Sequence, residues 1–177
     1  MSTTGASGSA WPELGAGAPG QPDAPPADPV ERPALLAGIF ALSTAAGGAH
    51  LAVAGHGFED GLLYGGFFVT VAAAQLALAA LIMVPALRSL VAVAGVLGNF
   101  AVVATYVLSR TVGVPVGWHA WKPEEAGALD LSTTVVELAL IGCLLQLVPP
   151  RLRPWIVNFL CVCALAAWAW RLTVLGS

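Results

Sequence analysis

Leu129–Val148, LDLSTTVVELALIGCLLQLV, decides how this chain is to be read. The run has the ~20 mostly apolar residues that one α-helix needs to cross ~30 Å of hydrocarbon, at ~1.5 Å per residue. It nevertheless carries Glu137 near its middle. An ionisable side chain at that depth is costly, and is kept where it faces other helices, a partner or a water-filled cavity. Asp130 stands seven residues earlier, with Thr133 and Thr134 between, so one face of the helix bears a polar stripe. The stretch predicts a membrane helix that turns ionisable chemistry toward an interior.

Composition extends that reading to the whole chain. Of 177 residues, 58% are apolar and only 10% charged, and the mean hydropathy is +0.82. Soluble domains carry about 25% charge, so the deficit points to lipid as the solvent. A net charge of −3 without Lys/Arg runs argues against nucleic-acid binding. The cysteines Cys143, Cys161 and Cys163 all lie in apolar runs without a CxxC pair, and read as small packing residues.

Further apolar segments at 34–54, 61–84, 87–108 and 154–175 join 129–148. Each is close to spanning length, which predicts an all-α polytopic transmembrane bundle of five spans over 34–177. His56-Gly57-Phe58-Glu59-Asp60, Pro85-Ala86 and the Pro149–Pro154 stretch read as turns. Residues 1–33 hold seven of the thirteen prolines, with Gly, Ser and Ala between, and read as a disordered tail. Trp11 in that tail reads as incidental.

Arg32, Arg88, Arg151 and Arg153 gather on one side, against Arg110 and Lys122 on the other, with Arg171 near that second boundary. The positive-inside rule then puts the N-terminus in the cytoplasm and the first and third loops outside a plasma membrane. Trp118, Trp121, Trp168 and Trp170 suit the outer interface and Trp155 the inner one. Ala52-Val53-Ala54 has the A-x-A form of a signal cleavage site, but the long acidic leader and the interruptions Gly47, Gly48 and His50 count against cleavage.

With this topology the ionisable groups converge on the outer side. His50 lies near the outer end of the first span, His56, Glu59 and Asp60 follow it, and Arg110 ends the third span. His119, Lys122, Glu124 and Glu125 occupy the third loop, Asp130 opens the fourth span, and Glu137 lies ~10 Å deeper. His50, Arg110, Asp130 and Glu137, joined by Glu59, His56 and His119, form the candidate polar cluster. Imidazole with carboxylate suits a metal ion, with His50, His56, His119 and Glu137 as the candidate ligands. His50 is also the best-placed haem ligand. The plainer readings are that the histidines anchor at the interface and that Glu137 is interhelical glue. Gln75 and Asn99 read as interhelical hydrogen-bonding groups, and Gly61, Gly65, Ala94, Gly95 and Gly98 as close-packing positions. Arg110 reads as binding an anionic group or neutralising Glu137 or Asp130, or more plainly as an interfacial Arg that snorkels to the headgroups. Gly113, Pro115 and Gly117 allow the long loop to fold back as a cap over a polar pocket.

Ala49-His50-Leu51, Gly65-Gly66-Phe67-Phe68, Gln75, Asn99, Ser109-Arg110-Thr111-Val112-Gly113-Val114-Pro115-Val116-Gly117, Asp130 and Glu137 together resemble a family of small actinobacterial multi-pass integral membrane proteins. The resemblance covers about residues 34–148, and the Ser-Arg-Thr-x-Gly-x-Pro-x-Gly stretch is its most specific part. It implies an integral membrane location and an outer polar cluster, and brings no activity, substrate or cofactor. Members often continue with Gly-Pro-His, where this chain has Gly117-Trp118-His119.

Three functions fit the pattern. The first is binding or sensing of a metal, haem or small ligand by the outer cluster. The second is proton-coupled transport through Glu137. The third is an accessory role against a membrane partner or a second copy. No nucleophile–base pair has recognisable spacing, so no enzyme activity is read from the sequence.

Overall fold

A computed structural model describes residues 33–115 and 120–175. These residues form five α-helices: α1 (Pro33–Asp60), α2 (Leu62–Leu81), α3 (Arg88–Thr111), α4 (Ala128–Leu145) and α5 (Arg153–Leu175). All five are long and apolar enough to cross a membrane. The protein is a multi-pass helical membrane protein. The tail with Trp11, and Trp118 and His119 in the third loop, lie outside the described residues.

The first joint differs from the expected five-residue turn. The His56–Asp60 stretch continues α1, and Gly61 alone makes the reversal, at φ 140°. Only glycine takes such a backbone without strain. The two helices can meet this abruptly because their contact is also glycine. A Cβ on Gly57 would stand 3.1 Å from the Gly65 backbone, and one on Gly65 would overlap the Phe58 ring. Further down, Gly47 lies against Ala72 and Gln75. Lipid tails are as apolar as leucine, so close packing of small residues is what holds membrane helices together.

The second joint is a 3-10 turn, Pro85–Leu87, where Arg88 Nε donates to the Ile82 carbonyl at 3.2 Å. At the fourth, Arg153 donates to the carbonyls of Gln146 and Val148, which the end of α4 leaves without helical partners. Pro154 occupies the first turn of α5, where its missing N–H costs nothing.

α1 packs most extensively on α2, and α4 lies against both α1 and α3. α2 and α3 touch only sparsely. The circuit α2–α1–α4–α3 is therefore open between its two ends. Toward the second and fourth joints the helices close on an apolar core that includes Ile39, Ile82, Val96, Leu140 and Leu144. α5 adds Ile156 and Leu160 to the edge of this core. The rest of α5 stands away, with Leu165, Trp168 and Trp170 exposed where lipid would surround them.

Candidate ligand cavity

At the other end of the bundle, near Gly61 and the α3–α4 loop, the four helices do not close. They leave a cavity of about 290 Å³. Its floor is a pair that the span positions alone do not reveal: His50 Nε2 meets Glu137 Oε1 at 2.8 Å, linking α1 to α4. Both are buried, His50 at 7% exposure and Glu137 at 1%. Either the imidazole donates to a carboxylate or a protonated carboxyl donates to the imidazole, and in both cases a proton lies between them. The Phe68 ring from α2 stacks on His50, with centroids 6.2 Å apart, and fixes its plane.

Arg110 closes the mouth. Its Nη2 donates to Asp130 Oδ2 at 2.6 Å and its Nη1 to Glu124 Oε2. Glu137 is not its partner. Asp130 also accepts the Gly127 N–H at 3.3 Å, so one carboxylate caps the start of α4 and ties α4 to α3. Glu124 reaches Arg110 because the loop folds back on α3. Gly113, at φ 84°, turns the chain, and a Cβ there would stand 2.5 Å from the Lys122 nitrogen. Trp121 N–H then donates to the Val114 carbonyl and Glu124 N–H to the Ser109 carbonyl, both at 3.0 Å. Val114 and Glu124 thereby line the cavity from above.

The wall contains a residue that the sequence reading passed over. Tyr106 lies one turn below Arg110 on α3, its ring centroid 5.3 Å from the Arg110 Cζ. Tyr106 Oη and Arg110 Nε are both buried, and neither has a hydrogen-bond partner. Tyr64, Phe67, Thr105, Thr133 and Thr134 also line it. Heptad spacing was the available signal: Tyr106 follows Asn99 by seven residues, as Glu137 follows Asp130.

A second polar layer lies deeper. Gln75 Nε2 donates to Asn99 Oδ1 at 2.8 Å, and Asn99 Nδ2 donates to the Gly95 carbonyl at 2.8 Å. Ser43 Oγ stands 2.9 Å from Gln75 Oε1 and 2.7 Å from the Gln75 carbonyl, sharing its one proton between them. Ser43, seven residues before His50, was also passed over, because serine is unremarkable in a membrane helix.

Of the sequence-named cluster, His50, Arg110, Asp130 and Glu137 border this one cavity. His56 and Glu59 are exposed on the last turns of α1 and do not line it. His119 lies outside the described residues. Among the described residues, no three His, Cys, Asp or Glu side chains come together as a metal-holding group. No protein-family profile, curated protein or solved structure matches this chain.

Proposed function

We propose that this chain is a small-ligand-binding or sensing protein of the plasma membrane, with the Arg110 mouth of its cavity on the outer side. The observation that carries the reading is the buried His50–Glu137 pair at the floor of a cavity whose wall holds an unpartnered Tyr106 hydroxyl. Ionisable groups at membrane depth are expensive and cluster at sites. A concave, largely apolar space with a few convergent polar groups is what small-molecule sites look like. The outward orientation rests on Arg88, Arg151 and Arg153 at the opposite end of the bundle, and on Arg32 preceding the first span in the sequence. Kinship with the actinobacterial family belongs to the same proposal and rests on Ser109–Gly117 with Asp130 and Glu137.

A resident metal or haem fits less well, because His50 Nε2 is engaged by Glu137 and no third ligand stands beside them among the described residues. Proton-coupled transport is the second reading. It is favoured by the buried His50–Glu137 pair itself, since proton relays in transporters run through Asp, Glu and His side chains, with Gln75 and Asn99 lining the path below.

The test is mass-spectrometric identification of small molecules and metals retained by protein purified in nanodiscs, beside Glu137→Gln and Tyr106→Phe. A stoichiometric organic molecule lost from both variants supports the site. A stoichiometric metal lost on His50→Ala replaces it with a metal centre. Proton-driven uptake that stops at Glu137→Gln would favour the second reading.

A further inference from the structure

The cavity does not end at its own walls. The gap between α2 and α3 continues down the bundle as a groove of about 540 Å³, and the two spaces share Phe67, Val102 and Thr105. The groove is lined by small and apolar residues such as Val71, Ala74, Ala94 and Gly98, over a floor formed by Gln75 and Asn99. It lies where the circuit of helices is open, so in a bilayer it faces lipid. A Cβ on Gly98 would meet nothing within 4 Å, which leaves the groove wide at its middle.

The two parts ask for different chemistry. In the upper cavity, Tyr106 Oη and Arg110 Nε are buried donors without partners, one helical turn apart. Such donors call for an acceptor oxygen. The charge balance decides what kind. Arg110 is the one guanidinium of the lining and is already shared by Asp130 and Glu124, while Glu137 adds a third carboxyl. An anionic head would meet a lining with no unshared cation among the described residues. A neutral carbonyl or quinol oxygen would not be repelled. Phe67, Phe68, Tyr64 and Tyr106 supply aromatic surface for a flat ring. In the lower groove the Gln75 and Asn99 amides are already bonded to each other, and the small apolar walls leave space for an apolar chain.

Resting on the binding reading above, we infer that the occupant is a neutral-headed, single-chain membrane amphiphile with the chemistry of a lipid quinone. It enters sideways between α2 and α3, places its ring oxygens at Tyr106, Arg110 and the His50–Glu137 pair, and lays its chain along the groove. The inference concerns binding alone and includes no redox step.

The test compares two probes on the full chain in nanodiscs: dimethoxy-methyl-benzoquinone without a tail, and the same ring carrying a decyl chain. Tyr106→Phe is expected to weaken both by about tenfold, the loss of one buried hydrogen bond. Gly98→Leu, and independently Ala74→Leu from the opposite wall, are expected to weaken the decyl compound by about tenfold and leave the tail-less ring unchanged. Using each variant against both probes cancels simple partition into lipid.

Undiminished decyl binding in both groove variants would overturn the sideways entry and leave the upper cavity standing as a site. Failure of both probes, while another molecule co-purifies in a Glu137-dependent way, would overturn the quinone class and not the binding function. A retained two-chain phospholipid would do the same. No probe binding and no Glu137-dependent ligand would remove both proposals.

Discussion

The two halves of this bundle are built from the same helices and solve different problems. Near the second and fourth joints, Ile39, Ile82, Leu140 and Leu144 are fully buried and interlock. Near Gly61 and the α3–α4 loop, the same α1, α3 and α4 hold a cavity and spend their contacts on His50–Glu137 and Arg110–Asp130. Apolar burial gives membrane helices little reason to associate, so the lower half depends on shape. The upper half depends on a few polar links whose loss leaves groups stranded in a poorly solvating interior. Both halves should therefore carry stability, while only the upper half should govern what is bound.

Four substitutions probe that contrast, in order of expected effect. Leu144→Ala in the apolar half should cost about 3 kcal/mol by opening a void among Gly95, Leu78 and Leu140. Thermal unfolding in detergent should record it, and binding at the temperature of a still-folded sample should not change. Lost binding by folded Leu144→Ala would mean that the halves are not separable.

Glu137→Ala should cost a comparable ~3 kcal/mol, because it leaves His50 buried without its partner. The double variant His50→Leu with Glu137→Leu should recover most of that stability and none of the binding. If the double variant is as unstable as the single one, the pair is a structural link first.

Gln75→Leu probes the layer between the halves. Its bond to Asn99 crosses α2 and α3, and interhelical bonds of this kind contribute about 0.6–1.7 kcal/mol in membrane proteins. Unfolding midpoints should fall slightly, with the upper cavity unaffected. A large loss of transport with little loss of stability would instead move the proton-coupled reading forward.

Glu124→Gln should have the smallest effect, about 0.5 kcal/mol or less, since its carboxylate is at the rim and solvent competes for Arg110. The difference from wild type should shrink further in high salt. A large effect would show that the folded-back loop is held by this link and not by the backbone bonds at Val114 and Ser109.

Much of this arrangement was legible in the chain. Helix number and the approximate extent of the spans follow from apolar runs of bilayer length, a constraint that hydrocarbon imposes locally, residue by residue. The common helix face of Glu137 and Asp130, which both line the cavity, also follows from helical period. Joints were less legible. His56–Asp60 looked like a turn because it is polar, yet the helix runs on until Gly61, since backbone hydrogen bonding continues wherever nothing forbids it.

What the sequence determined by itself was a set of spanning helices, with a polar stripe along one face of the fourth. Partner choice was decided only by the tertiary structure. Glu137 could have met Arg110, but the packing of α1 on α4 delivers His50 to it, and the folded-back loop delivers Glu124 to Arg110. Only the three-dimensional arrangement leaves the Tyr106 hydroxyl without a hydrogen-bond partner and α2 apart from α3. The physical reason is range. Helix formation and membrane depth are set within one segment, whereas a hydrogen bond or a gap between helices depends on their relative rotation and approach, which small residues far apart in sequence control together.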